Sequence, residues 1–156
     1  MLSPMPSDHA WSRFSMSIGR GGLKAIGRLN VPLYRLTRGR VGGRLGRAPV
    51  LLLTTTGRRS GEQRTAPVLY AQDGERIIVV GSNAGNATAP AWSLNLQAHP
   101  DCEVEIRGER RALRARVTDG GERDAAWRRM NDQYAGFDDY RANTTRDIKV
   151  FVLEPR

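Results

Sequence analysis

The segment from Thr54 to Arg64 sets two adjacent arginines and a serine between glycines, a pattern that suits anion binding. Its basic residues are Arg58, Arg59 and, six positions after the first, Arg64. Glycine lets backbone amides turn towards one point, and guanidinium groups offer planar donor pairs that match phosphate or carboxylate oxygens. No Gly-Lys-Ser/Thr sequence closes the segment, so it is not a P-loop. On composition alone, a solvated hairpin turn is an equal alternative.

Two later segments could form a wall against a flat ligand. Small residues follow a predicted strand at Gly81–Asn86, where a ring could lie against the backbone and bond free amides at its edge. Trp92 and Asn95 stand three positions apart and share one face if their segment is helical. An ordinary loop, and core packing of Trp92, are the commoner uses of such residues.

Aromatic residues recur at every third position at Tyr134, Phe137 and Tyr140. Three rings at this spacing could line the mouth of a pocket, or they could equally form a seam of the core. Hydrolytic chemistry is poorly supported, because neither Ser60 nor Ser82 has a histidine nearby in the sequence.

Cysteine and histidine are too few for a disulfide or a metal centre. The chain has one cysteine, Cys102, and two histidines, His9 and His99. A single cysteine excludes an intramolecular disulfide and a cysteine-rich zinc site. Cys102 stands at the start of a predicted strand, where we expect it to be buried and unreactive. We therefore expect no bound metal.

Positive charge is concentrated near the N-terminus. Residues 1–50 hold nine basic residues and one acidic residue, whereas residues 51–156 hold 16 and 15. Binding to nucleic acid is the weaker interpretation of this charge, because no recognised basic-aromatic motif accompanies it. Aliphatic runs reach only four residues, far short of the ~20 that a membrane-spanning helix needs. No apolar stretch typical of a secretory signal follows the basic residues, so a cytoplasmic protein is expected.

From residue 49 onwards the pattern is typical of a small antiparallel barrel with short inserted helices, an α+β fold. The predicted strands are 50–56, 65–72, 76–80, 103–107, 111–118 and 149–153. Two-residue turns are predicted at Asp73-Gly74 and Gly108-Glu109. The predicted helices are 90–98 and 122–134, the second with Ala125, Ala126, Met130 and Tyr134 facing inward.

Residues 1–48 are predicted to form an amphipathic helical leader with a glycine-rich linker, followed by a barrel domain at 49–156. Apolar residues recur between Ala10 and Leu36 at helical spacings, with arginines on the other face. We expect Val31-Pro32 to break this helix into two pieces. The leader could rest on anionic lipid or, equally, pack over the barrel.

Taken in order, these segments resemble the deazaflavin-dependent nitroreductase family, split-barrel oxidoreductases that use coenzyme F420. The resemblance covers about Val31 to Pro155 and rests on VPLYRLTRGRVGGRLGRAPVLLLTTTGRRSGEQR, DGERIIVVGSNAG, PAWSLNLQAHP and the tyrosine-rich segment before IKVFVLEP. It implies a mostly antiparallel split β-barrel, related to FMN-binding pyridoxamine-oxidase-like barrels. It also implies hydride transfer from reduced deazaflavin to an electron-poor quinone or nitro compound. An FMN- or haem-binding barrel and a non-catalytic F420 carrier are the alternatives.

The resemblance further implies which residues hold the cofactor. Its phosphate and polyglutamate tail would lie near Arg58, Arg59, Ser60 and Arg64. The rest of the cofactor would be held by residues of three segments and one aromatic: Thr65, Ala66, Pro67, Val68, Leu69, Val80, Gly81, Ser82, Asn83, Ala91, Trp92, Ser93, Leu94, Asn95 and Phe137. As catalytic residues it implies Ser82, which would hydrogen-bond cofactor or substrate, and Tyr134 and Tyr140, which would line the acceptor pocket.

Three positions depart from the family pattern. Leu69 and Phe137 stand where a family member has tyrosine, and Asn83 stands where lysine is common. These changes remove polar groups, so we expect the fold and the cofactor to be retained better than the substrate. A leader that rests on lipid would bring the site to a lipid-soluble acceptor such as menaquinone.

Overall fold

The computed structural model describes residues 30–45, 48–83 and 87–156. Residues 30–37 are helical and are called α1. The other elements follow in chain order: β1 (Arg44–Leu45), β2 (Ala48–Thr56), β3 (Gln63–Asp73), β4 (Arg76–Val80), α2 (Ala91–Ala98), β5 (Asp101–Ile106), β6 (Glu109–Val117), α3 (Gly120–Gln133), α4 (Gly136–Ala142) and β7 (Val150–Pro155).

Antiparallel pairing closes these strands into a barrel. The strand order is β2-β3-β4-β7-β6-β5, and β5 pairs back onto β2 through Leu52 opposite Glu105. The short β1 adds to β2 where Arg44 lies opposite Pro49. The predicted α+β split barrel is thus confirmed.

Strand β4 shows how the sequence builds two cores. Successive side chains of a strand point to opposite faces. Ile77 and Val79 join one buried cluster with side chains from the other barrel strands, and Ile78 and Val80 join a second cluster under α3 and α4. A strand covered on both faces needs the continuous apolar run that this segment has.

Both predicted hairpin turns were wrong by one residue. The β3–β4 turn is Gly74-Glu75, because Asp73 keeps its strand pairing with Arg76 and forms a 2.6 Å ion pair with it. The β5–β6 turn begins one residue earlier than predicted, at Arg107, whose φ of +52° is followed by +86° at Gly108. Positive φ at both central residues is the geometry that matches the twist of paired strands.

Helix α3 is confirmed, but its predicted inward face was partly wrong. It buries Ala126, Trp127 and Met130, whereas Ala125 is exposed. With 3.6 residues per turn, a face centred between Trp127 and Met130 leaves position 125 on the solvent side. Helix α4 was not predicted, because seven residues are too short to show a clear helical period.

Helix α1 is attached to the barrel by Tyr34, which is 1% exposed. The Tyr34 hydroxyl lies 3.1 Å from the Val50 carbonyl and 3.2 Å from that of Glu105, and it accepts a hydrogen bond from the Arg107 amide at 3.3 Å. Arg35 adds a contact, with Nε 3.5 Å from a Glu105 carboxylate oxygen. Of the predicted leader, the described part therefore packs on the barrel.

Residues 30–37 are helical throughout, and the predicted break of the leader at Val31-Pro32 stays a prediction, because the first of its two pieces lies outside the described residues. Proline has a φ that a helix itself requires, which allows it this place. The leader from Ala10 to Leu29 lies outside the described residues, and the domain boundary at residue 48 stays a prediction. Within the described ranges, no helix is long and apolar enough to cross a membrane.

Candidate functional site

The turn that carries the arginines, residues 57–62, is held together by its own backbone. The Gly57 amide donates to the Glu62 carbonyl and the Gly61 amide to the Gly57 carbonyl, both at 2.8 Å. Ser60 Oγ accepts from the Glu62 amide at 3.2 Å. A Cβ at Gly57 would stand 2.7 Å from that oxygen, and Gly61 has a φ of +72°. Both glycines are therefore needed for the shape of the turn.

Three arginine side chains leave this turn and its flank towards solvent. Arg64 Nη2 lies 2.8 Å from a Glu62 carboxylate oxygen, and both side chains are more than 60% exposed. Arg59 forms no ion pair with any residue in the described part of the chain. An incoming anion could thus bind Arg59 directly, and it could replace Glu62 as the partner of Arg64.

Asn95 connects Arg58, the first arginine of the turn, to α2. Its side-chain Oδ1 accepts from the Arg58 backbone amide at 3.1 Å and lies 3.4 Å from Arg58 Nη1. Its Nδ2 donates to Thr55 Oγ1 at 3.1 Å, and the side chain is buried. Trp92, on the same helix, is half-buried and packs on Phe151 with ring centroids 5.9 Å apart.

Strands β3 and β4 stop pairing at one end of the barrel, and the place beyond that point, between the β3 edge and the chain that leaves β4, is called the cleft. Tyr70 opposite Val79 is the last pair before they part. Residues 63–69 of β3 still pair with β2, so one backbone edge of this stretch has no strand partner among the described residues. Residues 80–83 leave β4 on the other side of the opening. The cleft therefore lies between two segments that were predicted to hold the cofactor.

On the β3 side of the cleft, side chains alternate as the pleat requires. Thr65, Pro67 and Leu69 share one face and are half-buried, whereas Val68 on the other face is buried. Thr65 Oγ1 lies 2.8 Å from Thr54 Oγ1, which fixes its hydroxyl across the ladder. Ala66 packs on the barrel core.

On the β4 side, the backbone of Gly81 and Ser82 is hydrogen-bonded to the segment that leads into β7. The Gly81 amide donates to the Lys149 carbonyl at 2.9 Å. The Gly81 and Ser82 carbonyls accept from Arg146 Nη1 at 3.1 Å and Nη2 at 2.8 Å. Partial burial lowers the pKa of the Arg146 guanidinium from its ordinary value. The next residue, Asn83, turns with a φ of +47° and donates through Nδ2 to the Thr88 carbonyl at 2.9 Å.

Helix α2 touches this side as well. A Cβ at Gly81 would stand 2.9 Å from Ser93 Oγ, so glycine permits the close approach. The Ser93 hydroxyl is 0% exposed and has no hydrogen-bond partner among the described residues. An unpaired buried hydroxyl is unfavourable, which makes this oxygen available to a ligand. Ala91 and Leu94 lie on the outer part of the helix. Through Asn95 and Ser93, α2 connects the arginine turn to the chain that leaves β4.

The tyrosines predicted as catalytic lie in the core. Tyr134, Phe137 and Tyr140 are buried and contact one another ring to ring, and the two tyrosine hydroxyls lie 3.0 Å apart. Their cluster includes Val80 and is contacted by Leu69, so the seam lies directly behind the cleft. Their role towards an acceptor stays a prediction.

Sequence reasoning missed two features of this site, Arg146 and the open edge of β3. Arg146 is one of 25 basic residues, and no local pattern distinguishes it. The edge opens because β4 stops pairing with β3 at Val79, and nothing in the sequence of β3 reveals where this pairing ends. Cys102 is buried as predicted, and burial raises the pKa of its thiol to about 12.

Comparison with known proteins extends over nearly the whole described chain. The family model described as F420H(2)-dependent quinone reductase matches residues 26–155. An F420H(2)-dependent quinone reductase of Mycobacterium tuberculosis is 37% identical over 133 residues, which cover 83% of this chain and 89% of that protein. The solved structure of an F420-H2-dependent reductase, FDR-A, has a TM-score of 0.64 at 31% identity and covers 68% of this chain and 94% of that one.

A more distant structure shows the fold alone. HutZ, the haem storage protein of Vibrio cholerae, has a TM-score of 0.55 at 16% identity, over 80% of this chain and 89% of that one.

Proposed function

This chain belongs to the F420H(2)-dependent quinone reductase family, and we propose that it reduces a quinone in the cleft between β3 and β4. Reduced F420, when bound, supplies the hydride. The protein's part is to hold and align the two reactants. The observation that carries the proposal is the parting of β3 from β4 beyond Tyr70 and Val79, with the arginine turn at one end of the open edge.

The residues present fit this cofactor. A multiply charged tail needs cationic groups with free donors, which Arg59 and the exposed Arg64 offer beside the more tightly held Arg58. A flat polar head needs backbone donors and acceptors at its rim, which the open edge of residues 65–69 can supply. The unpaired Ser93 hydroxyl at the contact with Gly81 adds a polar group to the opposite wall.

We propose roles for the catalytic candidates from their place around the cleft. Ser82 follows the β4 exit and would donate its hydroxyl proton to an oxygen of cofactor or acceptor. Tyr134 and Tyr140 back the cleft behind Val80, where Phe137 packs edge-on against both of their rings and the three side chains exclude water. Exclusion of water strengthens polar contacts within such a site.

The acceptor is proposed to be a lipid-soluble quinone such as menaquinone, reached at a membrane surface. Leu33, Leu36 and Val41 are exposed, Leu36 at 83%. Basic groups surround Tyr70 at this end of the barrel. Burial raises the pKa of the Tyr70 hydroxyl, and the positive charges of Arg107, Arg111 and Arg44 partly lower it again. Apolar side chains near arginines that form no ion pair with a described residue suit an anionic lipid surface.

The membrane contact can be tested with vesicles. We expect the protein to sediment with phosphatidylglycerol vesicles and not with phosphatidylcholine vesicles. Leu36→Asp should reduce sedimentation with phosphatidylglycerol vesicles. Val117→Asp, at an apolar residue of β6 that is 42% exposed, is the control away from this end of the barrel. Equal sedimentation of the Leu36 and Val117 variants would contradict the proposed contact.

Cofactor choice and catalysis are tested in two steps. A fluorescence titration should show binding of F420 in preference to FMN, and the complex with F420H2 should then reduce menadione and menaquinone. Tighter binding of FMN would overturn the cofactor assignment. Binding of F420H2 without oxidation by any quinone or nitro compound would indicate a carrier.

The arginine assignment needs a probe without the anionic tail. Arg59→Ala should weaken F420 binding and leave unchanged the affinity for a deazaflavin that lacks phosphate and glutamates. Arg128→Ala, at an exposed arginine of α3, is the matched control and should change neither affinity. A loss of affinity for both ligands in the Arg59 variant would contradict a role in tail binding.

A further inference from the structure

We propose that Arg146 is a positioning residue, which turns the backbone amide of Ser82 towards the cleft to bind an oxygen atom of the deazaflavin ring. The inference rests on the proposed function, because it concerns the same cleft. No comparison or motif assigns Arg146 a role.

One guanidinium holds two successive carbonyls. Arg146 Nη1 lies 3.1 Å from the Gly81 oxygen, and Nη2 lies 2.8 Å from the Ser82 oxygen. In a regular strand, successive carbonyls point to opposite sides, so one planar group cannot bind both. The chain can present both to Arg146 only because it leaves the strand here, which agrees with the φ of +47° at Asn83.

The directions of the amides follow from peptide geometry. In a trans peptide, the N–H points opposite to the carbonyl of the same peptide plane. The described residues contain no cis peptide bond. Since the Gly81 and Ser82 carbonyls both face Arg146, the amides of Ser82 and Asn83 both face away from it.

Away from Arg146 is the cleft side. Arg146 reaches the loop from the chain that leads into β7, and β7 pairs with β4 through Val80 opposite Val150. The Gly81 amide also faces that side, where it donates to the Lys149 carbonyl. Because β3 flanks β4 on the other side, amides that turn away from Arg146 turn towards the open edge of β3.

The amide of Ser82 is the donor on which the proposed site depends. No residue in the described ranges accepts a hydrogen bond from the Ser82 amide. A backbone amide that points into the cleft is a donor for an oxygen with negative charge. A cation bound to the carbonyls polarises the same peptide groups and strengthens their N–H donors. A ring oxygen that gains electron density on reduction suits such a site.

The experiment replaces the planar guanidinium of Arg146, which binds both carbonyls, by a group that keeps the positive charge. Arg146→Lys retains a cation but cannot bind two carbonyls in a planar fork. Arg129→Lys is the matched control, because Arg129 Nη1 donates to the Gln72 carbonyl at 2.8 Å outside the cleft. For each variant, thermal stability and the dissociation constants of F420 and of the tail-free deazaflavin are measured.

We expect Arg146→Lys to weaken both ligands by the same factor, about tenfold or more, as the loss of a charge-assisted hydrogen bond implies. Arg129→Lys should leave both affinities unchanged. A further variant, Arg146→Ala, removes the side chain. Ethylguanidinium added to this variant should restore its affinity for the tail-free deazaflavin, whereas added ethylammonium should not. In the apoproteins, amide exchange of Gly81 should accelerate in the Arg146 variants alone.

The outcomes separate this proposal from the proposed function. If the wild-type protein binds neither deazaflavin, the proposed function fails first. If the wild type binds both and Arg146→Lys binds them equally well, the positioning role is overturned. It is also overturned if Arg146→Lys weakens only F420, which would make Arg146 a contact of the tail, or if rescue does not distinguish the two additives.

Discussion

The side-chain oxygen of Asn95 accepts from the backbone amide of Arg58 at 3.1 Å and lies 3.4 Å from its guanidinium, although the residues stand 37 positions apart. Two positions earlier on the same helix, Ser93 lies against Gly81 at the other side of the cleft. A short helix therefore sets the distance between the arginine turn and the β4 exit. Changes within α2 should affect both stability and cofactor affinity.

Asn95→Leu should lower stability and weaken F420 binding together. The change leaves the Thr55 hydroxyl and the Arg58 amide without their partner, which costs about 1–3 kcal/mol for a buried group. For a chain of this length, each kcal/mol corresponds to roughly 2–4 °C in Tm. Gln97→Leu, at an exposed residue of the same helix, is the control for thermal denaturation and F420 titration. Unchanged affinity in the Asn95 variant would contradict the role of α2.

Ser93→Ala should be neutral or slightly stabilising in the apoprotein, because its buried hydroxyl has no described partner to lose. The same change should weaken F420 binding if that hydroxyl serves the ligand. Thermal denaturation and titration of one variant measure both effects. A clear destabilisation of the apoprotein would show that the hydroxyl is already paired.

Gly81→Ala should destabilise the protein, because its Cβ would stand 2.9 Å from Ser93 Oγ. Removal of that oxygen should relieve part of the strain, although the Ser93 Cβ would still lie 3.1 Å away. A double-mutant cycle of Gly81→Ala with Ser93→Ala should therefore show favourable coupling. Strict additivity of the two unfolding free energies would contradict the close contact.

Stability should fall at alkaline pH through Cys102. Burial raises the pKa of its thiol from 9.0 to about 12, so the folded state keeps a proton that the unfolded state releases. Its contribution is complete below pH 9 and is lost as pH rises towards 12, by at most about 1.4 kcal/mol per pH unit.

Cys102→Ala removes that contribution, so its free energy of unfolding should fall less steeply than the wild type's over this pH range. Denaturant unfolding at several pH values measures the difference, and the tyrosines affect both proteins alike. Parallel curves would show that the thiol ionises in the folded protein as it does in the unfolded one.

Tyr34→Phe should lower stability without a change in F420 affinity. The loss removes the acceptor of the Arg107 amide and the donor to the Val50 and Glu105 carbonyls, about 1–3 kcal/mol for buried partners. Tyr70→Phe is the control for thermal denaturation, since no described residue bonds that hydroxyl. Equal Tm values for the two variants would show that α1 does not depend on this bond.

Local patterns in the sequence were enough to predict the six barrel strands and the arginine turn. Alternation in a strand has a period of two residues, and the apolar run at 77–80 predicts burial on both faces, so these features are local. Glycines at 57 and 61 likewise mark the turn that carries Arg58 and Arg59. The short helix α4 and the exposure of Ala125 escaped prediction, because they depend on which helix face meets the barrel.

The place where the barrel opens, and the residue that holds the opening, depend on contacts between residues far apart in the sequence. Among the described residues, one edge of β3 has no strand partner, because the pairing of β3 with β4 ends at Tyr70 and Val79. The β4 exit is held by Arg146, which stands 64 and 65 positions from the residues whose carbonyls it binds. Contacts at such separations leave no periodic trace in a single sequence. They arise because the closed sheet brings the start of β7 beside the end of β4, where a guanidinium fork matches two carbonyls.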